Sequence, residues 1–412
     1  MSTAFPPSFK GLAWANLAAQ SAEQICLTAV PMFAVLMLGA GPGEIGLLAM
    51  LQSLPFLLMS IPLGVLADRS SRKRLMVLAE ALRLLSLLGL CVVAATGQSS
   101  LALLAVLGFI GATGTVGFSV AAPALVPALV PREALGAANG RLELARSAAF
   151  AAGPALAGAL VSWAGASAAF VLATMLSSSA LMLLMRVPEP PRAAAPPRHV
   201  MHELAEGARF VWQSDLLRPM VLCGVVWNVA WFVLQAAYVP YAVKTLGLSA
   251  DAVGITLATY GAGMVVGALA APRLLKRIAF GHAILLGPLM SVLASLVMAA
   301  TLLVPSGALA ALSFFLFGAG PILWTITSTT LRQTIVPGAM LGRVGSMFLA
   351  VNAGARPLGA ALGGLVGAQW GAQTCLVVSA IGFALQAVVI VLSAVRKLQS
   401  LPATPPTAAG AA

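Results

Sequence analysis

Long apolar runs alternate with short polar segments along nearly the whole chain. A helix of about 20 apolar residues crosses a bilayer core about 30 Å thick, so runs of this length predict transmembrane helices. Twelve runs qualify, at roughly 11–38, 45–67, 75–96, 101–127, 142–163, 166–186, 218–241, 252–272, 282–304, 307–330, 344–368 and 371–395. None shows the short alternating segments of a membrane β-barrel. The pattern predicts an all-α polytopic membrane protein with 12 transmembrane helices.

The basic residues give these helices an orientation. When the loops are assigned alternately to two sides, nearly all of the 23 Lys and Arg residues fall on the side that holds both termini. Lys244 falls on the opposite side, and Arg83, Arg146 and Arg356 fall inside spans. Because cytoplasmic loops carry the excess of Lys and Arg, we expect both termini in the cytoplasm and the chain in the cytoplasmic (inner) membrane.

Composition excludes several classes of protein. Hydrophobic residues make up 60% of the chain and charged residues only 8%, which excludes a soluble globular protein and a disordered one. The net charge of +12 does not indicate nucleic-acid binding, because the basic residues lie in short clusters between apolar runs. The chain has no phosphate-binding loop, dinucleotide fingerprint, Ser-His-Asp arrangement or metal-ligand spacing. We therefore expect no cofactor, no metal and no enzymatic activity.

A hydrophilic stretch at 187–217 divides the spans six and six. It begins with the Pro-rich segment PEPPRAAAPPR and continues with HVMHELAEGARFVWQS, where apolar residues recur at helical spacing. This favours an amphipathic helix on the cytoplasmic membrane surface, with a solvated linker as the alternative. We predict an N-terminal six-helix bundle at 1–186, a cytoplasmic linker at 187–217, a C-terminal six-helix bundle at 218–398 and a disordered tail at 399–412.

The two predicted bundles share sequence features at equivalent places. VPREALGAANG at 130–140 aligns with VPGAMLGRVGS at 336–346, an offset of 206 residues. The same offset pairs Gly153 with Gly359 and Gly158 with Gly364. Secondary transporters use two parallel six-helix repeats of this kind around a site near the middle of the membrane. The duplication therefore predicts two pseudo-symmetric bundles around a central cavity.

The loop after the second span carries the clearest motif, GVLADRSSRKR. It resembles the signature loop of the major facilitator superfamily, in which a glycine and an aspartate precede a cluster of Arg and Lys. The residues of this gate motif are Gly64, Asp68, Arg69, Arg72, Lys73 and Arg74. Ser71 stands where that family usually has glycine. The resemblance implies the major facilitator fold and a cytoplasmic latch between the bundles. The alternative is that these charges only set the orientation.

A glycine- and proline-rich pattern in the fifth span partly resembles the antiporter motif of the same superfamily. Its members are Gly140, Gly153, Pro154 and Gly158, while alanine replaces glycine at two further motif positions. A packed helix without a role in transport direction is the alternative. The fourth span lacks the arginine of the superfamily's proton-coupled drug antiporters. It repeats glycine every three residues from Gly108 to Gly117, which predicts a close helix contact.

Glu23 is a carboxylate near the middle of the first span. A charge there costs about 2.5–3.5 kcal/mol on insertion scales, and intramembrane charges are functional by default. We predict that Glu23 carries protons and that Arg146 of the fifth span is its charge partner, with a purely structural ion pair as the alternative. Glu80 and Arg83, three residues apart in the third span, are expected to pair with each other.

Polar and aromatic residues inside the spans predict the lining of the cavity. Trp227, Trp231 and Gln235 follow one another at four-residue spacing on one face of the seventh span. Such a face suits an aromatic or amphipathic substrate, and helix packing is the alternative for the two tryptophans. The cavity candidates are Asn16, Gln20, Trp227, Asn228, Trp231, Gln235, Trp324, Asn352 and Arg356.

The sequence as a whole indicates a secondary active transporter. The stretches AEQICLTAVP, ELAEGARFVW and VPREALGAANG resemble the branch of the superfamily that contains siderophore exporters and related efflux proteins. This implies a proton-driven exporter of small amphipathic compounds, siderophore-like or drug-like, working by alternating access. An importer on the same fold and a non-transporting scaffold or sensor are the alternatives. The expected partners are a small-molecule substrate, the proton gradient and the lipid bilayer, with the chain acting as a monomer.

Overall fold

The computed structural model describes residues 5–131, 134–189, 200–275 and 277–401. Within these ranges the regular structure is helical, as predicted, and no strand is formed. The helices are α1 (Pro7–Leu38), α2 (Pro42–Arg69), α3 (Arg72–Thr96), α4 (Leu101–Leu129), α5 (Leu135–Ala164), α6 (Ala166–Arg186), α7 (Val200–Gln213), α8 (Leu217–Lys244), α9 (Ala250–Leu275), α10 (Phe280–Ala300), α11 (Gly307–Ile335) and α12 (Gly338–Val391). A short 3₁₀ helix, Ala394–Lys397, follows.

Helix α12 makes two crossings. In the described part of the chain, 11 helices are long and apolar enough to span a membrane, and α12 is one of them with 54 residues. Gly371 breaks it with a φ of 81°, a value that glycine adopts without a steric penalty. The arms 338–370 and 372–391 are therefore separate spans, and the predicted number of 12 crossings is confirmed.

The two ends of the molecule differ in their turns. We call the end that holds Lys10, Arg72, Arg186 and Arg332 the basic end, and the opposite end the far end. The turns at the far end contain the glycines with positive φ, which are Gly39, Gly97, Gly165, Gly247 and Gly371. Because only glycine enters this conformation freely, these positions end one span and reverse the chain in a few residues.

The spans form two bundles, α1–α6 and α8–α12. In the N-terminal bundle α1 packs on α5 and α6, and α3 packs on α4 and α6. In the C-terminal bundle α8 packs on α12, and α11 packs on α9 and α10. The bundles meet where α2 contacts α12 and where α5 contacts α9. This is the predicted architecture of two six-helix bundles.

Glycines at equivalent places make equivalent contacts. A Cβ on Gly153 would lie 2.5 Å from Gln24 of α1, and one on Gly359 would lie 2.5 Å from Val229 of α8. These two crossings join helices of the same bundle. Residues that are 206 positions apart in the sequence therefore make equivalent helix–helix contacts in the two bundles.

The glycine repeat of α4 packs closely, as predicted. A Cβ on Gly111 would lie 2.9 Å from Ser86 Oγ, and one on Gly114 would collide with the carbonyl oxygen of Ala79. Both neighbours belong to α3. Gly64 of the gate motif differs, since its nearest neighbour, Val120, would be 4.0 Å from a Cβ. Close packing therefore explains the glycines of α4 but not Gly64.

Helix α7 occupies the second part of the predicted linker. It packs on α12, where a Cβ on Gly207 would lie 2.6 Å from the carbonyl oxygen of Arg343. The Arg343 guanidinium pairs with Glu206, and Val211 is buried. Trp212 stays exposed. The Pro-rich part of the linker, 190–199, and most of the predicted tail lie outside the described residues.

Candidate functional site

A cavity of about 460 Å³ lies between the two bundles. Helices of both bundles line it, and the predicted residues on its wall include Glu23 from α1, Trp231 from α8 and Arg356 from α12. Gly364 of α12 contacts α2, and Arg356 lies eight residues before Gly364 on the same helix. At 1.5 Å per residue this places Arg356 about 12 Å from that contact, toward the basic end.

Glu23 faces the cavity without a hydrogen bond or ion pair to any described residue. The charged groups close enough to act on it electrostatically are Arg83, Glu80, Arg356 and Arg146, in decreasing order. No cation among the described residues is fixed to the Glu23 carboxylate, so those residues compensate its charge only at a distance. A carboxylate without a fixed partner is costly in a membrane-spanning segment.

Arg83 is held in a buried network. Its Nη1 lies 2.9 Å from Oε2 of Glu80, with side chains that are 5% and 0% exposed, as the sequence predicts for this pair. Arg83 also donates to the carbonyl oxygen of Ala19 and to Thr115 Oγ1, each at 3.2 Å. Ser177 donates to Glu80 Oε1 at 2.6 Å. These bonds tie α3 to α1, α4 and α6.

Arg146 has a nearer partner than the expected Glu23. Its Nε donates to Glu143 Oε2 at 2.9 Å, and its guanidinium lies 5.3 Å from the centre of the Phe150 ring. Glu143 is three residues earlier on the same helix, so it reaches Arg146 without bridging two helices. The direct Glu23–Arg146 pair that we expected is therefore not formed, although both residues line the cavity.

Arg356 has no such partner. Its guanidinium lies 4.9 Å from the centre of the Phe56 ring, which belongs to α2 in the other bundle. Its Nε is buried without a hydrogen bond, and no ion pair of Arg356 is formed in the part of the chain that the structure describes. Among the cavity arginines, Arg356 is thus the one with an uncompensated charge.

An aromatic wall faces these charges from the C-terminal bundle. Trp227 and Trp231 share one face of α8, as predicted, and their rings stack with centroids 5.3 Å apart and planes 11° apart. Trp227 Nε1 donates to Ser291 Oγ at 3.2 Å, and Trp231 lies 5.2 Å from the Tyr260 ring. Trp231 also meets Phe314 edge-on at 6.1 Å. The wall offers a flat apolar surface beside polar groups, the arrangement expected for an aromatic ligand.

The remaining predicted cavity residues divide into two groups. Asn228 and Gln235 line the cavity. Asn352 lies behind Asn228 and accepts its Nδ2 hydrogen bond at 3.1 Å. Asn16 is buried at the α1–α5 contact, where it donates to the carbonyl oxygen of Leu142 at 3.3 Å. Asn16 shares a helical face with Glu23, but α5 covers that face near the basic end.

Two other predicted cavity residues are also absent from the wall. Gln20 is half-buried and lies one turn before the cavity. Trp324 packs against α10, where its Cβ would be 2.6 Å from a Cβ on Gly287. The wall instead includes residues that the sequence analysis did not select, among them Phe56 and Tyr260. A single aromatic residue in a span carries no signal for which neighbour it faces, so only the fold identifies these two.

The gate motif is anchored within the N-terminal bundle. Glu189, just after α6, accepts the backbone N–H of Arg72 at 2.8 Å and of Lys73 at 3.3 Å. The carboxylate therefore caps the N-terminus of α3, where the helix dipole favours a negative charge. The Arg72 side chain donates to the carbonyl oxygen of Ala124. The side chains of Asp68 and Arg69 lie outside the described residues.

The antiporter-like pattern of α5 lies at the contact between bundles. Pro154 lines the cavity, and a Cβ on Gly158 would lie 2.8 Å from the Cα of Gly254 in α9. The equivalent glycine of the second repeat, Gly364, makes the equivalent contact with Gly46 of α2. The surroundings of Gly140 lie outside the described part of the chain. Two glycine crossings thus bring the bundles together near the far end.

Lys244 adds a polar contact at the far end. Its Nζ donates to the carbonyl oxygens of Gly39 at 2.9 Å and Ala40 at 3.0 Å, so that α8 is joined to the α1–α2 turn of the other bundle. At the basic end, Arg72 donates to the carbonyl oxygen of Ala124 within the N-terminal bundle, and Arg343 pairs with Glu206 of α7. The bundles are therefore held together at the far end.

Two six-helix bundles around a central cavity define a membrane transporter of the major facilitator superfamily. The model of the transmembrane secretion effector family matches residues 9–408, and the chain belongs to this family. It is an integral membrane protein and a secondary transporter of the exporter type. Its similarity to curated relatives and to solved structures agrees with this membership.

Among curated proteins, the chain is similar to the enterobactin exporter EntS of Escherichia coli O1:K1 / APEC, with 30% identity over 345 residues, covering 83% of this chain and 81% of the relative. EntS of Citrobacter koseri is 29% identical over 347 residues, covering 83% and 82%. In fold, the chain resembles the nucleoside transporter NupG, with a TM-score of 0.75 and 14% identity, covering 94% and 98%. It also resembles a bacterial homologue of the iron transporter ferroportin in an inward-facing state, with a TM-score of 0.74 and 16% identity, covering 93% and 98%.

Proposed function

We propose that the protein exports small amphipathic aromatic compounds in exchange for protons, by alternating access. The observation that carries this proposal is the pairing of two features in one cavity. Glu23, a carboxylate without a fixed partner among the described residues, faces an aromatic wall formed by Trp227, Trp231 and Tyr260. The carboxylate supplies a proton site, and the wall supplies a surface for planar apolar groups.

The relatives support the substrate class. Those with 29–30% identity over most of both chains are named as exporters of enterobactin. We therefore extend export of siderophore-like or drug-like compounds to this chain. The aromatic wall fits such substrates better than it fits a sugar or a small ion, because flat stacking surfaces favour aromatic ligands.

The proton step follows from the cost of charge in the membrane. An ionised carboxylate in the centre of the bilayer is costly, so a protonated Glu23 lowers the barrier to moving the cavity between the two sides. In this scheme Glu23 takes up a proton when the cavity faces the acidic side and releases it when the cavity faces the other side. The substrate leaves before the proton binds, so the gradient drives the return of the protonated, substrate-free transporter.

Orientation completes the proposal. The positive-inside rule places the basic end, and with it both termini, in the cytoplasm. The structure then corresponds to a cytoplasm-facing state, in which the far end is shut by Lys244 and the glycine crossings. The gate motif from Gly64 to Arg74 would join the bundles at the cytoplasmic end in the opposite state. We propose that the functional unit is a monomer, because one chain forms the whole cavity.

Transport into everted vesicles tests the function. Vesicles energised by an imposed proton gradient are given fluorescent amphiphiles and catechol siderophores, and accumulation is compared with that in vesicles without the protein. We expect gradient-dependent accumulation by the wild type and a loss of about tenfold or more in Glu23→Gln, as for removal of a group used in proton transfer. Glu44→Gln is the matched control, because Glu44 is an exposed carboxylate at the far end that bonds only the Gly41 amide.

The outcomes separate the parts of the proposal. Accumulation that survives in Glu23→Gln would keep the exporter and remove Glu23 from the coupling step. Equal losses in Glu23→Gln and Glu44→Gln would point to a general effect on folding. Uptake in right-side-out vesicles but not in everted ones would show import instead of export.

A further inference from the structure

We propose that the substrate is an aromatic anion and that Arg356 binds its acidic group. This inference rests on the proposed function, since it concerns the same cavity, and it specifies the charge of the compound that the cavity accepts. It starts from a comparison of the charged side chains on the cavity wall. Some of them have a partner of opposite charge within the protein, and others have none among the described residues.

Two of the three arginines that line the cavity already form ion pairs within the protein. Arg83 is fixed to Glu80 in a network that also includes Thr115, and Arg146 is fixed to Glu143. Each of these guanidiniums already has a carboxylate partner, although the Nε of Arg83 is buried without a hydrogen bond. Their charges are balanced locally by the carboxylates three residues away on the same helices.

Arg356 has its donors available. Its guanidinium lies over the Phe56 ring, its Nε is buried without a hydrogen bond, and it forms no hydrogen bond or ion pair with another described residue. A cation without a partner is expensive at this depth in the membrane. Since a guanidinium binds a carboxylate or a similar planar anion through two parallel hydrogen bonds, an acidic ligand compensates it directly.

Glu23 is the competing partner. It is the carboxylate that acts most strongly on Arg356, yet the two do not form an ion pair within the described structure. Other groups acting on Glu23 are Arg83, Glu80 and Arg146, which are themselves paired. Since Glu23 does not pair with Arg356 within the described structure, the donors of the guanidinium remain available to an anionic ligand.

The aromatic wall fixes the rest of the ligand. Phe56 and the Trp227–Trp231 stack lie on the same cavity as Arg356. A ligand that places its acid on Arg356 can therefore lay its ring along the tryptophans. A volume of about 460 Å³ accommodates a drug-sized molecule of this kind.

The test compares two probes that differ only in charge, 2-naphthoate and 2-naphthamide. Binding to the full-length protein is measured by equilibrium dialysis in phosphatidylcholine nanodiscs, with empty nanodiscs as the blank. We expect the wild type to bind the carboxylate about tenfold more tightly than the amide, as for a hydrogen bond to a charged group. Arg356→Gln should abolish this preference, and Arg356→Lys should restore part of it.

Two further variants separate the roles of the charges. Arg332→Gln is the matched control, because Arg332 also lies against an aromatic ring, Phe348 at 4.9 Å, but does not line the cavity. It should leave both probes unaffected. Glu23→Gln should keep the preference for naphthoate over naphthamide, because the Arg356 guanidinium supplies the hydrogen bonds to the acidic group.

Several results would overturn the inference. Equal binding of the two probes by the wild type, no binding of either, or the same loss for both probes in Arg356→Gln would each do so. Repeating the assay with phosphatidylglycerol in the nanodiscs shows whether a lipid headgroup takes the site, which would appear as lost naphthoate binding. The outcome does not depend on transport, so charge-selective binding without gradient-driven accumulation would reject the proposed function alone.

Discussion

The two bundles have the same architecture but contribute different chemistry to the cavity. The N-terminal bundle supplies Glu23 and the buried Glu80–Arg83 pair, whereas the C-terminal bundle supplies the Trp227–Trp231 stack. The packing between helices, in contrast, is similar in the two bundles. The comparison teaches that the duplication retained the contacts between helices and changed the groups that face the cavity. The carboxylate Glu23 belongs to the N-terminal bundle, whereas the uncompensated Arg356 and the tryptophan stack belong to the C-terminal bundle.

The retained contacts are specific. Gly158 meets Gly254 and Gly364 meets Gly46, so the α5–α9 and α2–α12 crossings use glycines from equivalent positions of the two repeats. Small residues let helices approach until their backbones touch. The symmetry of the transporter is therefore carried by its backbone contacts, and the asymmetry by its side chains.

The largest effect is expected from the buried ion pair of the N-terminal bundle. Glu80→Ala leaves Arg83 buried without its carboxylate, and loss of one member of a buried pair costs about 3–5 kcal/mol. Glu143→Ala is the matched change at the half-exposed pair of α5, where the cost should be below about 1 kcal/mol. Thermal unfolding in detergent measures both. Equal shifts in Tm would show that the N-terminal bundle does not depend on its buried network.

The next effect tests the symmetry of the glycine crossings. A valine at Gly254 would collide with the carbonyl oxygen of Pro154, and overpacking of this kind costs about 1–3 kcal/mol. We expect Gly254→Val and its counterpart Gly46→Val to open the far end and to lower transport by similar factors. Gly345→Val is the control, since a Cβ there has no neighbour within 4 Å. Distances between spin labels across the far end provide the measurement, and unequal effects of the two variants would break the symmetry.

A smaller effect is expected from the tryptophan stack of the C-terminal bundle. Trp231→Ala removes the contacts with Trp227, Tyr260 and Phe314, and each aromatic pair contributes about 0.5–1.5 kcal/mol beyond its buried area. The affinities for naphthoate and naphthamide should fall by the same factor, unlike the selective loss expected for Arg356→Gln. Trp163→Ala is the control, because Trp163 is 83% exposed. A loss confined to naphthoate would show that Trp231 acts on the acidic group of the ligand and not on its ring.

The smallest effect concerns the polar contact that joins the bundles. Lys244→Met removes two hydrogen bonds to backbone carbonyls, each contributing about 0.5–1.5 kcal/mol at most. We expect a shift of a few-fold toward the state open at the far end, seen with the same spin labels, and recovery in Lys244→Arg. An unchanged distance distribution would show that the glycine crossings alone hold the far end shut.

The sequence predicted what depends on periodicity and local spacing. Spacing of a few residues predicted the number of crossings, the close contact at the glycines of α4, the Glu80–Arg83 pair and the shared face of Trp227 and Trp231. Such pairs are fixed by the geometry of one helix, whatever its neighbours. Even the duplication was visible, because its glycines kept their spacing.

What the sequence did not predict depends on which neighbour covers a helix face. Asn16 and Glu23 share a face of α1, but α5 covers Asn16 while Glu23 reaches the cavity. Tilt and rotation of a span are set by its packing partners, which hydrophobicity does not encode. Glu189 binds the start of α3 across 117 residues of sequence, a separation at which no local pattern indicates a contact.

The position of Lys244 also makes it a natural reporter of conformation. The chain contains only five lysines, and the other four, Lys10, Lys73, Lys276 and Lys397, fall on the basic side in the topology that we propose. An amine-reactive reagent that cannot cross the membrane would then label this protein, in intact cells, at the side chain of a single lysine. Since that amine is occupied by two carbonyls when the far end is shut, its labelling rate would follow the opening of the transporter without any engineered probe.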